Sequence, residues 1–599
     1  MPAQRPKSEP KSAADEARWM DLGPLVSFPE GSPVLRKPTA GSGATSRRFV
    51  CVRSGDAVHA LDDRCPHQGY PLSQGSVRDG VLTCEWHNWK FDLKTGGCLF
   101  GGEPVRRYPT RVVEGRVHLD TTLDVSRESE RFVAGIRAAL LDDDPARALR
   151  EALRLGALTQ ARRGRGLGDL KDGLGVLALD GAERAQWGFD HGLALLADTC
   201  TWASRGWIDA AEAFVAAAAA VAEPSRNRSP RPVIAHDVDR ADEPNAVAED
   251  LIAERREDAE SRVRHLVRTR GALATARAAL VPYVSRRLLD YGHGTIFLAK
   301  ALELEARFPR AAEALMAAVT LQLAWATDEL ALPPFTTTRE AVVAVDGLAP
   351  SPRPSPSKGA GRRARDFDRP AYEAAVLEGE RAGVDATLAA LREGGDPVAL
   401  LRAIGHAAAV RLARFDRAWE ERTDAEVGVL DVTHAVTFVD AAIALSTAQP
   451  FDVVARFAVA GAGFVGKLRK ADTATVESSP SARDASAGAS LIDAVRARDV
   501  VRARSIADTL DAEGRRTAYR DIAPFAAFEA AVRPIFYAHT VKTTEALRRL
   551  EENDPQADGV YLRACVSYVV PRRRERAFAR TAAIARSFLA NGRPPVGLY

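Results

Sequence analysis

The chain has 599 residues, of which 46% are apolar and 27% charged, and its 83 basic and 80 acidic side chains leave a formal net charge of +3. A chain of this length exceeds one hydrophobic core, so we expect several domains. The near balance of charge gives no reason to expect nucleic acid or an anionic membrane as a partner, and six scattered cysteines do not form a disulfide framework.

Residues 1–17 are predicted to be a disordered tail because they are polar and rich in Pro and Lys. They contain no apolar core typical of a secretory signal. The most apolar run of the chain, residues 213–222, is shorter than a bilayer span requires. Together with the scattered cysteines, these features predict a cytoplasmic protein that does not enter a membrane.

Residues 18–125 have the pattern of a small antiparallel β domain. Apolar runs at 49–52 and 57–61 flank Ser54-Gly55-Asp56, and a second pair at 110–113 and 116–119 flanks Glu114-Gly115. Short apolar runs separated by Gly and Asp are typical of β-hairpins.

Two short segments in this region carry metal-ligating side chains. Cys65-Pro66-His67 and Cys84-Glu85-Trp86-His87 each offer one thiolate and one imidazole, and residues 68–83 separate them. This spacing closely resembles that of Rieske proteins. The resemblance implies a [2Fe–2S] cluster with Cys65 and Cys84 on one iron and His67 and His87 on the other. A Cys2His2 zinc site uses the same ligands, but zinc fingers group Cys with Cys and His with His.

The surrounding residues indicate a subtype. Gln68-Gly69-Tyr70 and Asn88-Trp89 stand where respiratory Rieske proteins carry an additional disulfide, so the segment is more similar to Rieske ferredoxins and oxygenase subunits of bacteria. That similarity implies a reduction potential at the low end of the Rieske range, roughly −150 mV, and an electron-donating reductase or ferredoxin as partner. We expect Trp86, Trp89 and Phe91 to pack behind the second segment and exclude water.

From residue 131 onward, apolar residues recur at spacings of three and four, which predicts helices. The predicted organisation is a first helical half at 131–346, a Pro- and Ser-rich linker at 347–370 and a second helical half at 371–599. Four pairs of similar segments occur in the same order in both halves: 144–150 with 396–402, 191–198 with 434–440, 251–256 with 491–496, and 291–293 with 537–539. The predicted fold class is therefore a small antiparallel β Rieske domain followed by a large all-α domain made of two related halves.

Four histidines follow this duplication, since His191 corresponds to His434 and His293 to His539. Each lies at or near the start of a predicted helix, among small or aliphatic residues. If the four imidazoles converge, they form a second metal site or an acid–base pocket, and we name them as candidate catalytic residues. The alternative is that they are satisfied residues of a helical core.

The helical part lacks the Asn/Asp-x-x-His-x4-His iron-binding pattern of Rieske non-haem oxygenases. The segments 293–303 and 434–437 are similar to His-led helices of the questin oxidase family, which are helical oxygenases of Baeyer–Villiger type. This resemblance implies an oxygen-inserting catalytic domain that the Rieske module supplies with electrons. The leading hypothesis is an oxygen-dependent oxidoreductase acting on a small organic substrate. The alternative is a redox carrier or sensor whose helical repeats form a binding scaffold without catalysis.

Overall fold

The structure is a computed structural model, and it describes residues 19–37, 48–158, 168–225, 228–231, 233, 239, 241–348, 367–415, 428–472, 490–529 and 534–571. These residues form two compact units. One comprises residues up to Ala139 together with Ala146–Leu158, and the other comprises Leu140–Pro145 and the chain from Thr159 onward. The predicted disordered tail at 1–17 lies outside the described residues, as does most of the predicted linker at 347–370.

The first unit contains three small antiparallel sheets. Their orders are β1-β11-β10, β2-β3-β4-β9 and β5-β6-β7-β8. The strands are β1 (Trp19–Pro24), β2 (Pro33–Arg36), β3 (Phe49–Ser54), β4 (Ala57–Asp62), β5 (Ser76–Arg78), β6 (Val81–Thr83), β7 (Lys90–Asp92), β8 (Cys98–Phe100), β9 (Arg107–Tyr108), β10 (Thr110–Val113) and β11 (Arg116–Asp120).

Strand β3 shows how the sequence creates two cores in this unit. Successive side chains of a strand point to opposite faces. Phe49 and Cys51 therefore pack in a core with Tyr108, whereas Val50 and Val52 pack in a second core that contains both ligand cysteines. The predicted hairpins are present, because β3 pairs with β4 and β10 pairs with β11 in antiparallel register.

The remaining described residues form helices and loops. The α-helices are α1 (Val125–Leu141), α2 (Pro145–Leu158), α3 (Lys171–Arg184), α4 (His191–Ser204), α5 (Ala210–Ser225), α6 (Asn245–Ile252), α7 (Arg256–Arg270), α8 (Ala272–Thr275), α9 (Val281–Val284), α10 (His293–Arg307), α11 (Ala312–Trp325), α12 (Thr336–Ala344), α13 (Arg369–Glu378), α14 (Glu380–Arg392), α15 (Pro397–Arg414), α16 (Val429–Leu445), α17 (Phe451–Lys467), α18 (Leu491–Arg496), α19 (Val500–Ala507), α20 (Ala512–Phe528), α21 (Pro534–Asn553) and α22 (Val560–Val569). Among the described helices, none has the length and apolarity needed to cross a bilayer.

Four of these helices form a closed ring of neighbours. Helix α4 packs against α10, α10 against α16, α16 against α21, and α21 against α4. Both α4 and α16 are buried along most of their length, which fits their apolar sequences on all sides. The predicted fold class, an antiparallel β unit followed by a large all-α region, is confirmed. The relation between two helical halves stays a prediction.

Candidate functional site

The two predicted cluster loops fold into the same closed turn. The Cys65 N–H donates to the Tyr70 carbonyl at 2.9 Å, and the Gly69 N–H donates back to the Cys65 carbonyl at 2.8 Å. In the second loop, Cys84 N–H donates to Trp89 O at 2.8 Å and Asn88 N–H to Cys84 O at 3.0 Å. The fifth residue of each turn, Gly69 or Asn88, has a positive φ of 78° or 59°, a conformation that Gly and Asn tolerate.

These turns place the four predicted ligands in two layers. Cys65 and Cys84 are 4% and 1% exposed and belong to the second core, with the Cys84 thiol within hydrogen-bonding reach of the Cys65 sulfur. Burial raises the pKa of the Cys65 thiol to about 11, although the backbone N–H groups of His67 and Gln68, which donate to its sulfur, lower this pKa. The rings of His67 and His87 lie 4.6 Å apart and nearer the surface. Buried thiols with outer imidazoles fit a [2Fe–2S] cluster whose histidine-bound iron lies nearest solvent.

Aromatic residues surround these ligands, but only in part as predicted. Trp89 stacks on His67 with ring centroids 4.7 Å apart, and Phe91 is fully buried in the core beneath. Trp86 is 62% exposed, so the prediction that it shields the cluster from water is wrong. It lies at the outer tip of the second turn, where its ring stacks against His87 at 5.6 Å.

The four predicted histidines of the helical unit converge. His191, His293, His434 and His539 each offer a ring nitrogen, and these atoms all lie within 4.8 Å of one another. The Nε2 atoms form two pairs, His191 with His293 at 3.1 Å and His434 with His539 at 2.9 Å. Two nitrogens that bind one ion at about 2.1 Å and at right angles to each other are separated by about 3 Å, so each pair matches the spacing of neighbouring metal ligands.

Hydrogen bonds fix the tautomer of two of these rings. His293 Nδ1 donates to the Asp290 carbonyl at 2.6 Å, and His539 Nδ1 donates to the Ile535 carbonyl at 2.7 Å. A carbonyl only accepts, so both Nδ1 atoms carry hydrogen and both Nε2 atoms retain a lone pair for a metal. Burial lowers the pKa of all four imidazoles, that of His293 to about 3, so they are neutral at physiological pH.

The loop before α10 holds His293 in place through unusual backbone geometry. Asp290, Tyr291 and Gly292 have successive φ angles of 48°, 54° and 90°. Left-handed conformations are costly for residues other than Gly, so the surrounding contacts must hold the loop. One of these contacts is the Glu329 carboxylate, which accepts the Tyr291 N–H at 3.0 Å. The result is that the Asp290 carbonyl points at the imidazole three residues later.

A layer of buried charges lies on the same four helices. Lys300 lies seven residues after His293, and Asp198 lies seven residues after His191. Lys300 Nζ donates to the Asp198 carboxylate at 2.5 Å. Lys542 is buried three residues after His539, with no hydrogen-bond partner for its Nζ among the described residues, and burial lowers its pKa to about 7. A cavity of about 10 Å³, room for one water, adjoins Lys300 and Lys542. The sequence analysis did not identify either lysine, whose signal is a spacing of seven residues after His293 and three residues after His539.

Comparison with known proteins agrees with the N-terminal geometry. The family model described as "Rieske [2Fe-2S] domain" matches residues 19–109. The anthranilate 1,2-dioxygenase ferredoxin subunit of Burkholderia cepacia is 36% identical over 106 residues, which are 17% of this chain and 93% of that protein. The 4beta-methylsterol monooxygenase of Methylococcus capsulatus is 60% identical over 35 residues, 6% of this chain and only 10% of its own length.

A second ferredoxin relative and a solved structure are also similar to part of the chain. The ferredoxin component of the alkene monooxygenase system of Xanthobacter autotrophicus is 38% identical over 74 residues, 12% of this chain and 61% of that protein. Among solved structures, the ferredoxin of carbazole 1,9a-dioxygenase from Nocardioides aromaticivorans is 23% identical and covers 17% of this chain and 98% of its own, with a TM-score of 0.16. Each of these matches covers less than a fifth of the chain, and the resemblance of the helical part to questin oxidases stays a prediction. With its paired thiolate and imidazole ligands, its matching family model and a ferredoxin relative covered almost end to end, the chain belongs to the Rieske [2Fe–2S] family.

Proposed function

We propose that the chain is a two-part oxidoreductase. Its Rieske domain accepts single electrons from a reductase or ferredoxin and passes them to a metal held by His191, His293, His434 and His539, where a small organic substrate is oxidised with O₂. The observation that carries this proposal is the convergence of four neutral imidazoles, with Nε2 pairs 3.1 and 2.9 Å apart. A satisfied helical core has no physical reason to bring four buried ring nitrogens together.

The Rieske domain contributes electron transfer. When bound, the cluster stores and releases one electron at a time. The chain's own residues hold its two thiolates in the core and leave the His87 ring exposed at the surface. The His87 imidazole is the point at which electrons would enter or leave, since it is the most exposed of the four ligands.

The helical site contributes binding and activation. Imidazole ligands suit iron, copper, nickel and zinc, and an electron-supplying domain in the same chain favours a redox-active ion such as iron. An ion of octahedral preference held by these four imidazoles would keep positions for substrate or O₂. His191 and His293 are half-buried whereas His434 and His539 are buried, and we infer that access is from the His191–His293 side.

Oxygen insertion fits the supply of electrons and protons. Inserting one oxygen atom of O₂ into a substrate consumes two electrons and two protons and releases one water. The Rieske domain delivers the electrons singly, and fusing donor and acceptor in one chain raises their effective concentration. The oxygenase and monooxygenase names of the relatives support this type of reaction.

Metal analysis of the purified holoprotein tests the proposal. We expect more than two irons per chain in the wild type, and two in His293→Ala and His539→Ala, with the visible absorbance of the cluster unchanged and substrate-dependent oxygen uptake lost. His265→Ala is the control, because His265 pairs with Asp242 at the surface, away from the four histidines in sequence and role. Two irons in the wild type, with normal oxygen uptake in both variants, would contradict the proposal. Two irons with no oxygen uptake at all would favour a redox carrier with a helical scaffold.

A further inference from the structure

Helix α2 contacts the first cluster loop although it lies outside the residues that match the Rieske family. The match ends at residue 109, whereas α2 begins at Pro145. From α2, the Arg154 guanidinium donates a hydrogen bond from Nη2 to the carbonyl oxygen of Pro66. Pro66 separates the ligands Cys65 and His67, so this contact reaches the backbone between two ligands of different irons.

The Arg154 guanidinium is held from its other side. Its Nη1 donates to Glu103 Oε1 at 3.3 Å, and the Glu103 side chain is fully buried. Arg150, one helical turn earlier, makes two hydrogen bonds to the same carboxylate, at 2.6 and 3.0 Å. Paired charge-assisted hydrogen bonds of this kind fix both position and orientation. The carboxylate therefore aligns two arginines, and Arg154 reaches the ligand loop.

The positive charge of Arg154 lies directly against the ligand loop. The Glu103 carboxylate contacts the same guanidinium, and a Glu151 oxygen lies 3.6 Å from it, whereas the hydrogen bond to the Pro66 carbonyl comes from Arg154 itself. The contact is partly desolvated, since the Arg154 side chain is 28% exposed. Electrostatic interactions are stronger in such a setting than in water.

We propose that Arg154 is a positioning residue for the iron–sulfur centre. Arg154 holds the Cys65–His67 segment and raises the reduction potential of the cluster. Reduction adds one negative charge, and a fixed cation stabilises that charge relative to the oxidised state. The hydrogen bond to Pro66 also draws electron density from the peptide that links the two ligands. This inference rests on the Rieske domain alone and is independent of the proposed reaction in the helical unit.

The test is a redox titration of the full-length holoprotein at neutral pH, monitored by the visible and EPR spectra of the cluster. For Arg154→Gln we expect the equilibrium constant for one-electron reduction to fall about tenfold, which corresponds to a potential lower by about 59 mV. Arg154→Lys keeps the charge but loses the paired hydrogen bonds, so its potential should still fall, by less than half of the shift in Arg154→Gln. An unchanged potential in a cluster-loaded Arg154→Gln protein would overturn the proposal.

Arg53→Gln is a closely matched control. Arg53 is 27% exposed, also donates to a backbone carbonyl, that of Gly55 at 2.8 Å, and lies by the hairpin at the opposite end of β4 from the ligand loop. We expect no change in its potential, and a shift equal to that of Arg154→Gln would show a general effect of charge and refute a specific role. If Arg154→Gln does not retain its cluster, Arg154→Lys decides. A potential of Arg154→Lys that lies below that of the wild type by less than about 59 mV supports the proposal, and a potential equal to or above that of the wild type contradicts it.

Discussion

Substituting Gly292 by Ala tests how the four-histidine site is held. Gly292 immediately precedes His293 and has φ 90° and ψ 0° at the start of α10. A Cβ at this position would lie 2.9 Å from Cδ2 of Phe438, a ring that is fully buried on the neighbouring helix α16. The methyl group therefore meets a steric obstacle that cannot move into solvent, directly beside a proposed ligand.

The magnitude follows from two contributions. A left-handed residue other than Gly costs about 1–2 kcal/mol, and overpacking a rigid core typically costs about 1–3 kcal/mol. We therefore expect the free energy of unfolding of the helical unit to fall by about 2–5 kcal/mol. Relief of the clash moves the loop whose Asp290 carbonyl orients His293, and loss of such an outer-shell contact commonly reduces metal affinity about 10–100-fold.

Gly559→Ala separates the two contributions. Gly559 precedes α22 with φ 91° and ψ −3°, almost the same conformation, but the nearest atom to its added Cβ is Arg515 Cδ at 3.5 Å. It should lose only the backbone contribution of about 1–2 kcal/mol and retain full metal affinity. Both variants are compared by chemical denaturation and by titrating iron into metal-free protein. Equal metal affinities in the two variants would refute the idea that the loop before α10 orients a ligand.

Three further predictions concern other parts of the chain. Trp89→Ala should shorten the lifetime of the cluster absorbance in air severalfold, because its ring covers His67, whereas the exposed Trp86→Ala should change it little; equal lifetimes would contradict this. Lys300→Met should destabilise the helical unit by about 3–5 kcal/mol by removing the closest cation of the buried Asp198, whose other cation, Arg549, is 3.8 Å away, and adding Asp198→Asn should restore most of that stability in denaturant titrations. Burial lowers the pKa of His406, but two hydrogen-bonded carboxylates outweigh burial and raise this pKa from 6.5 to about 9. Its contribution is about 3 kcal/mol before solvent screening and about 2 kcal/mol after it, because the Asp558 partner is 62% exposed. This contribution is complete below pH 6.5 and is lost as the pH rises through 9, a dependence that His406→Gln should remove.

The parts of the molecule that sequence predicted correctly are those whose information is local. The spacing of Cys65, His67, Cys84 and His87 defines two short turns, and the hairpins follow from Gly and Asp between apolar runs. The exposure of Trp86 could not be predicted, because the direction of a side chain at a turn tip depends on the tertiary environment. Lys300 and Lys542 were missed for a related reason. A lysine in a sequence is normally solvated, and only the packing of four helices shows that these two are buried.

The convergence of the histidines was one of two alternatives that the sequence left open, and it depends on the places of the four residues in the predicted duplication rather than on local propensity. Each half of the predicted duplication contributes one close Nε2 pair, His191 with His293 and His434 with His539. The corresponding residues His293 and His539 both donate Nδ1 to a backbone carbonyl, so the two pairs are alike in chemistry as well as in position. A duplicated chain reproduces at one site the symmetry of a twofold dimer, in which the same surface meets itself across the axis. If it is confirmed, the predicted duplication would account for a site with two equivalent ligands from each half, because each predicted half supplies two of its four imidazoles.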